Sequence, residues 1–149
     1  MTEEWRQGEY TISTDPARLD VALIHQYLST VSYWAAGRPR DIVQRSIDNS
    51  LAFGMYRGGA QIGFARVVTD YATFAWLADV FVLPEFQGQG LGKWLIGVVT
   101  GHPRLPSLRR WILATKDAQG LYAGYGFTPL SAPERFMERF VHRPDYGAS

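Results

Sequence analysis

The sequence contains no cysteine, which removes disulfide staples, thiolate metal sites and a cysteine nucleophile together. It also lacks an excess of either charge. Fifteen basic residues against 14 acidic ones leave a net charge of +1, with no basic face for nucleic acid and no polybasic stretch for a membrane surface. Long hydrophobic runs are missing as well: no segment reaches the ~18 apolar residues that mark a membrane span. The opening "MTEEWRQGEY" has neither the basic nor the apolar region of a secretory leader. These absences predict a cytoplasmic protein without a nucleic-acid or membrane partner. The three histidines, His25, His102 and His142, stand far apart without ligand spacing, so no metal is expected.

What is present suits a packed core: 46% hydrophobic and 14% aromatic residues, in 149 positions without a linker, repeat or low-complexity tract, predict one domain over 1–149. Residues 9–14 read as a strand. Asp15 and Pro16 then form a cap and first turn for a helix whose stripe is Leu19, Leu23, Ile24, Tyr27 and Leu28, ending near Thr30. The aromatic loop "SYWAAGRPR" (32–40) interrupts, and Asp41 is placed to cap a second helix to about Asn49. Over 50–83, three β-rich runs split by turn signals at 57–59 and 69–72 predict an antiparallel meander. An apolar helix from Gly90 to Thr100, a strand over 108–115, a helix over 118–125 and a strand near 135–141 complete the order β-α-α-β-β-β-α-β-α-β.

One stretch stands out. "VLPEFQGQGLGKWLIGVV" (82–99) places Gly88, Gly90 and Gly92 just before an apolar helix. A Walker A loop would need glycine at position 87, which is Gln, and Ser or Thr after Lys93, where Trp94 stands. A dinucleotide fingerprint would need a third glycine at 93 and an acid about twenty residues on, where Arg109 and Arg110 lie. Two readings remain: a connection that only satisfies turn geometry, or a cradle whose main-chain N–H groups and helix dipole hold a diphosphate.

The run Gln87-Gly88-Gln89-Gly90-Leu91-Gly92 resembles the acyl-CoA signature Arg/Gln-x-x-Gly-x-Gly/Ala of the GNAT superfamily of N-acetyltransferases. "GLYAGYGF" (120–127) is similar to its second hallmark, Tyr-x-x-x-Gly-Phe, ending at Phe127, and the element order matches over nearly the whole chain. The resemblance implies an α+β fold of three layers, α/β/α, with a mixed, mostly antiparallel sheet, about four helices, and fourth and fifth strands that splay apart around the pantetheine arm of acetyl-CoA.

It also implies roles. Main-chain groups of Phe81 and Val82 would meet the pantetheine, and amides from Gln87 through Gly92 (Gly88, Gln89, Gly90 and Leu91 between them) would hold the diphosphate. Lys93 would add charge there or stay solvated. Asp117 stands where relatives place a pantetheine-contacting asparagine; as a residue, it also reads as an N-cap for the following helix. Tyr122 would protonate the departing thiolate, its alternative being to pack against the sheet; Tyr125 has the wrong spacing for the pattern. Asp79, an acid in the apolar run "LADVFV", is expensive to bury unpaired. It is either a base or ammonium ligand for the acceptor, or a structural partner for an arginine such as Arg66. Many relatives carry a glutamate in this strand, and the neighbouring position here is Ala78.

The resemblance also implies acceptor contacts in the loop between the first two helices and in the third-to-fourth strand hairpin, which nominates Tyr33, Trp34, Arg38, Asp70 and Tyr71, with Arg38 suited to a carboxylate; the alternative for Tyr33 and Trp34 is that they close the core. The expected activity is direct acetyl transfer from acetyl-CoA to an amine of a small molecule or peptide. Two rivals stand beside it: a non-catalytic acyl-CoA sensor or interaction module, and a binding domain built on "RLPSLRRW" (104–111). The family resemblance allows a homodimer, which no residue specifies.

Overall fold

The computed structural model describes residues 2–146, so the ends of the expected 1–149 domain lie outside it. Six strands form one sheet in chain order: β1 (Glu4–Gln7), β2 (Tyr10–Ser13), β3 (Leu51–Arg57), β4 (Ala60–Thr69), β5 (Phe74–Val82) and β6 (Arg110–Ile112). The first five are antiparallel neighbours, and β6 joins β5 in parallel. The strand at 4–7, which the sequence pattern missed, pairs with β2 and shifts the family's fourth and fifth strands to β5 and β6.

Four helices cover the two faces. Helices α1 (Val21–Gln26) and α2 (Arg40–Asp48) pack Ile24, Val43 and Ile47 against Ala52, Phe64 and Phe81. On the other face α3 (Leu91–Thr100) buries Leu91, Leu95, Ile96 and Val99 against Phe53, Met55 and Leu77, and Tyr122 of α4 (Gln119–Ala123) joins the same cluster. Being covered on both sides, β3 reads as a continuous buried run from Leu51 to Tyr56 rather than an alternating one. The architecture is the expected three-layer α+β fold. Among the described residues, no helix is long and apolar enough to cross a membrane.

Four local expectations are corrected. Asp15 does cap a turn, accepting from Ala17 N–H, but that turn is a 3-10 segment, Pro16–Arg18. The helix begins afresh at Val21, where Asp20 accepts from Leu23 N–H at 3.1 Å, and it ends in a π turn, Tyr27–Val31. Asp41 lies inside the first turn of α2, whose cap position is Pro39. Asp117 does not cap α4: the Ala118 N–H donates to Thr115 Oγ1 instead. Finally, 135–141 forms no strand. Apolar residues there come in adjacent pairs, Phe136–Met137 and Phe140–Val141, so no single sheet face could bury them, and Met137 is 97% exposed.

Candidate active site

Strands β5 and β6 touch only at their start. The paired residues are Phe74–Trp76 and Arg110–Ile112, after which β5 runs on to Val82 while the chain beyond Ile112 turns away. The gap is a cleft of about 770 Å³, walled by Leu77–Val82 on one side, Leu113–Thr115 and α4 on the other, and roofed by the loop after α1.

A β-bulge shapes its wall. Phe64 pairs with Phe81 and Arg66 with Ala78, so Asp79 and Val80 together face the single residue Ala65. Asp79 takes the left-handed conformation (φ 56°) that such a bulge ordinarily gives to glycine, a conformation Asp tolerates better than most side chains. The kink turns the Asp79 carboxylate to the α1–α2 side of the sheet, where it is 5% exposed and fully engaged. Trp34 Nε1 donates to Oδ1 at 3.0 Å; Arg38 Nη1 and Arg66 Nε donate to Oδ2 at 2.8 and 2.9 Å. Arg66 is held in turn by Ser50 Oγ at 3.2 Å. Of the two sequence-based alternatives for Asp79, the geometry supplies the ion pair, with Arg38 joining Arg66.

The roof is aromatic. Ser32, buried, accepts from Ala35 N–H and fixes the loop, and Tyr33 and Trp34 meet edge to face at 5.1 Å between ring centroids. The Tyr33 hydroxyl reaches across the cleft to accept Lys116 N–H at 2.8 Å, with the Lys116 ammonium 5.3 Å over its ring. Tyr27, which helical spacing assigned only to the core, stacks on Phe81 at 4.0 Å and lines the cleft. It stands where α1 passes into the π turn.

At the far end lies the glycine segment. Gly88 and Gly90 are left-handed (φ 82° and 81°), and Gly90 caps α3 without any side chain closing the helix N-terminus. Gly92 has no such conformational need, and a Cβ built on Gly88, Gly90 or Gly92 meets no protein atom within 4 Å. Protein packing therefore does not demand glycine at 92; open space in front of the first helical N–H groups does fit an elongated anionic ligand. Gln87 Nε2 donates to Val82 O at 2.8 Å, and Gln89 Oε1 accepts from Tyr10 OH at 3.1 Å, so both glutamines brace the loop through side chains. Leu83 N–H donates to Ile62 O, and by alternation the main chain of Val82 faces away from β4, toward the gap. The same alternation turns the Phe81 main chain to β4, and its ring stacks on Tyr27. Lys93 is exposed on α3.

Tyr122 points into the cleft from α4. It is 9% exposed, its ring is T-shaped against Phe127 at 5.9 Å, and its hydroxyl makes no hydrogen bond among the described residues. Burial, with the Tyr33 phenol nearby adding to it, pushes its pKa up to about 12. Gly126 is left-handed (φ 89°) and reverses the chain so that Phe127 N–H returns to Tyr122 O at 3.3 Å; this is the physical content of the Tyr-x-x-x-Gly-Phe spacing. Tyr125 points elsewhere, donating to the Lys93 carbonyl at 2.7 Å.

Not every nominated residue reaches the cleft. Asp70 folds back on its own turn, accepting from Ala72, Thr73 and Phe74 N–H, and these bonds hold its carboxyl well below the usual range. Tyr71, left-handed at φ 61°, lies under Arg104 at 5.1 Å. Neither lines the gap. Asp117 does, on the exposed β6–α4 side. His102 is buried against Trp5 and Phe53 and pairs with Glu3 at 2.9 Å, fastening β1 rather than a metal. Among the described residues no group of three or more His, Asp or Glu could hold a metal ion.

A mixed sheet opened between two parallel strands, with a glycine-capped helix at one end and a buried phenol in the wall, defines an acetyltransferase fold. The chain belongs to the GNAT family of acetyltransferases: the model of the acetyltransferase (GNAT) domain matches residues 48–129, more than half of its length. It is 34% identical over 140 residues to the acetyltransferase-like protein FG08082 of Gibberella zeae, covering 80% of this chain and 79% of that one. The crystal structure of the GNAT-family protein xcc2953 from Xanthomonas campestris pv. campestris superposes with a TM-score of 0.88 at 53% identity, over 93% of this chain and 97% of the other. An acetyltransferase of Clostridium acetobutylicum solved with acetyl-CoA shares the fold at 13% identity, with a TM-score of 0.65 over 94% and 96% of the two chains.

Proposed function

We propose that this GNAT acetyltransferase uses acetyl-CoA and transfers the acetyl group directly to an amine held in the same cleft. One observation carries the reading: the β5–β6 gap joins an empty-sided glycine cradle at the α3 N-terminus to the Tyr122 hydroxyl in its wall, which has no hydrogen-bond partner among the described residues. The Clostridium acetobutylicum neighbour, which binds acetyl-CoA, supports the choice of coenzyme. The N–H groups of Gly88 to Gly92 would hold the diphosphate, and the gap-facing N–H of Val82 the pantetheine arm.

When bound, acetyl-CoA supplies an activated acyl carbon and a thiolate leaving group. Across the reaction one C–N bond forms, one C–S bond breaks, and one proton passes from the amine to sulfur. Tyr122 is the residue placed to manage that proton. With its pKa pushed up to about 12 it stays protonated over the range in which an alkyl amine of ordinary pKa about 10.4 becomes a nucleophile. Full proton transfer from a phenol to a free thiolate whose conjugate thiol has a pKa of about 8.5 runs uphill. Tyr122 therefore acts first as a hydrogen-bond donor to the developing thiolate; its proton passes to sulfur only as the phenol takes up the N–H proton shed by the newly acylated nitrogen, so that one proton moves in net from the amine to sulfur. Asp79, with three donors on its carboxylate, acts as a positioning residue that sets Trp34, Arg38 and Arg66, and leaves the acceptor's ammonium form to give up its extra proton to water before the attack.

The test is acetyl-CoA-dependent release of free thiol over a panel of amines, wild type against Tyr122→Phe. Amine-dependent release that falls at least about tenfold in the variant supports transfer with Tyr122 as acid. If acetyl-CoA binds and no amine raises the thiol signal, the protein is an acyl-CoA-binding module instead.

A further inference from the structure

The charges at the inner end of the cleft do not balance. Asp79 needs one cation, yet two arginines point at it, both nearly buried: the side chains of Arg38 and Arg66 are 14% and 12% exposed. Arg66 is committed twice, to Asp79 and to Ser50. Arg38 gives Asp79 only Nη1, and its Nε and Nη2 have no partner among the described residues. The one other acidic side chain lining the cleft, Asp117, is exposed on the opposite wall. The site thus holds a surplus positive charge, largely withdrawn from water, and Arg38, which lines the cavity, keeps two of its guanidinium nitrogens unengaged among the described residues. A desolvated guanidinium is costly unless an anion meets it, and its fork geometry matches a carboxylate through two parallel hydrogen bonds.

We infer that the acceptor is an amine that also carries a carboxylate, bound by the Nε–Nη2 edge of Arg38 under the Trp34 and Tyr33 rings. This deepens the acetyl-transfer reading and rests on it. A polyamine or aminoglycoside brings only positive charge to a site already in surplus, and is rejected by repulsion. Asp79 is the lever that aims Arg38: the left-handed bulge at 79 lifts its carboxylate to the guanidinium, and the Trp34 indole N–H locks it there. The transfer step is the one already balanced above; the carboxylate takes no part in bond making and only fixes where the amine sits.

The test uses matched probes: the common α-amino acids with β-alanine and 4-aminobutyrate, each beside its carboxamide, and spermidine. Steady-state thiol release with acetyl-CoA is measured for wild type, Arg38→Gln and Arg38→Lys. The expected result is turnover of carboxylate-bearing acceptors, with the matched carboxamide about 10- to 100-fold lower in kcat/KM. Arg38→Gln should shrink that preference to within about threefold, chiefly through KM. Arg38→Lys, which keeps the charge beside Asp79, should retain the fold and part of the preference, and thermal melting separates misfolding from lost recognition. Equal turnover of carboxamides, or preferred turnover of spermidine, overturns the inference.

A second readout needs no turnover. Calorimetric titration of the CoA-loaded protein with the N-acetylated amino acids and their carboxamides should show binding of the carboxylates alone, lost in Arg38→Gln. If no amine is acetylated but this selectivity is present, acetyl transfer fails and the carboxylate site stands. If amines are acetylated without it, the carboxylate site fails alone.

Discussion

The Tyr33 hydroxyl and the Lys116 main-chain N–H, 83 positions apart in sequence, meet at 2.8 Å across the mouth of the cleft. This bond ties the loop after α1 to the segment between β6 and α4, the two walls that a substrate must pass. Tyr33 is 50% exposed, so the bond adds little to global stability, on the order of 1 kcal/mol or less. Its effect belongs to the cleft. Tyr33→Phe should leave the melting temperature within about 2 °C and raise KM for the acceptor about two- to fivefold with kcat nearly unchanged. A fall in kcat alone would assign Tyr33 to the chemical step instead.

Tyr122 makes a prediction about pH. Because burial pushes its pKa up to about 12, the phenol keeps its proton through the range in which the acceptor amine loses its own. The kcat/KM of the wild type should climb with pH and show no descending limb below pH ~10, where a tyrosine of ordinary pKa would begin to fail. A limb centred near pH 9 would remove Tyr122 from the role of acid.

Gly92 separates stability from ligand binding. Its backbone is not left-handed and an added Cβ meets nothing, so Gly92→Ala should strengthen the first turn of α3 by about 0.5–1 kcal/mol. The same methyl group would occupy the space in front of the helix N-terminus, and acetyl-CoA affinity measured by calorimetry should fall about tenfold or more. Gly90→Ala would lose on both counts, since its φ of 81° costs an alanine about 1–2 kcal/mol. An unchanged affinity in Gly92→Ala would move the diphosphate elsewhere.

Tyr56 and Tyr122 together set the alkaline limit of stability. Burial pushes both phenols from 10.0 up to about 12. The unfolded chain ionises first, so the stability they contribute is complete below pH 10 and is lost as pH rises toward 12. The Tyr56 hydroxyl is buried with no hydrogen-bond partner among the described residues, and a Cβ at Gly54 would overlap it. Tyr56→Phe should therefore be neutral or stabilising by about 1 kcal/mol and should flatten part of the alkaline loss, whereas Gly54→Ala should cost about 1–3 kcal/mol in chemical denaturation.

Much of this molecule was legible in its residues. Turn signals at 57–59 and 69–72 did separate β3, β4 and β5, because glycine and Asp-rich turns act locally. Gly88, Gly90 and Gly126 marked positions where the backbone is left-handed, a steric property of one residue at a time. The spacing Tyr122–Gly126–Phe127 encoded a tight helix end that brings the phenol over the sheet. Local chemistry also chose the caps at Asp15 and Asp20, although only the second starts a lasting helix.

The rest was decided by long-range packing. Nothing near Asp79 in sequence reveals that Trp34 and Arg38, more than forty positions away, converge on its carboxylate with Arg66. That convergence requires a bulge, which depends on the register between β4 and β5 and not on any single side chain. Tyr27 lines the cleft by stacking on Phe81, 54 positions away, and β1 forms by pairing with β2, with Glu3 beside it meeting His102 across 99 positions. Asp70 and Tyr71 looked equally exposed and functional in sequence, but the hairpin carries them away from the gap. The sequence alone determined the turns at 57–59 and 69–72 and the left-handed glycines at 88, 90 and 126, since each depends on neighbours within a few residues. Only the tertiary structure decided the charge at the inner end of the cleft, because whether a buried acid is free or neutralised depends on which distant cations the fold brings to it.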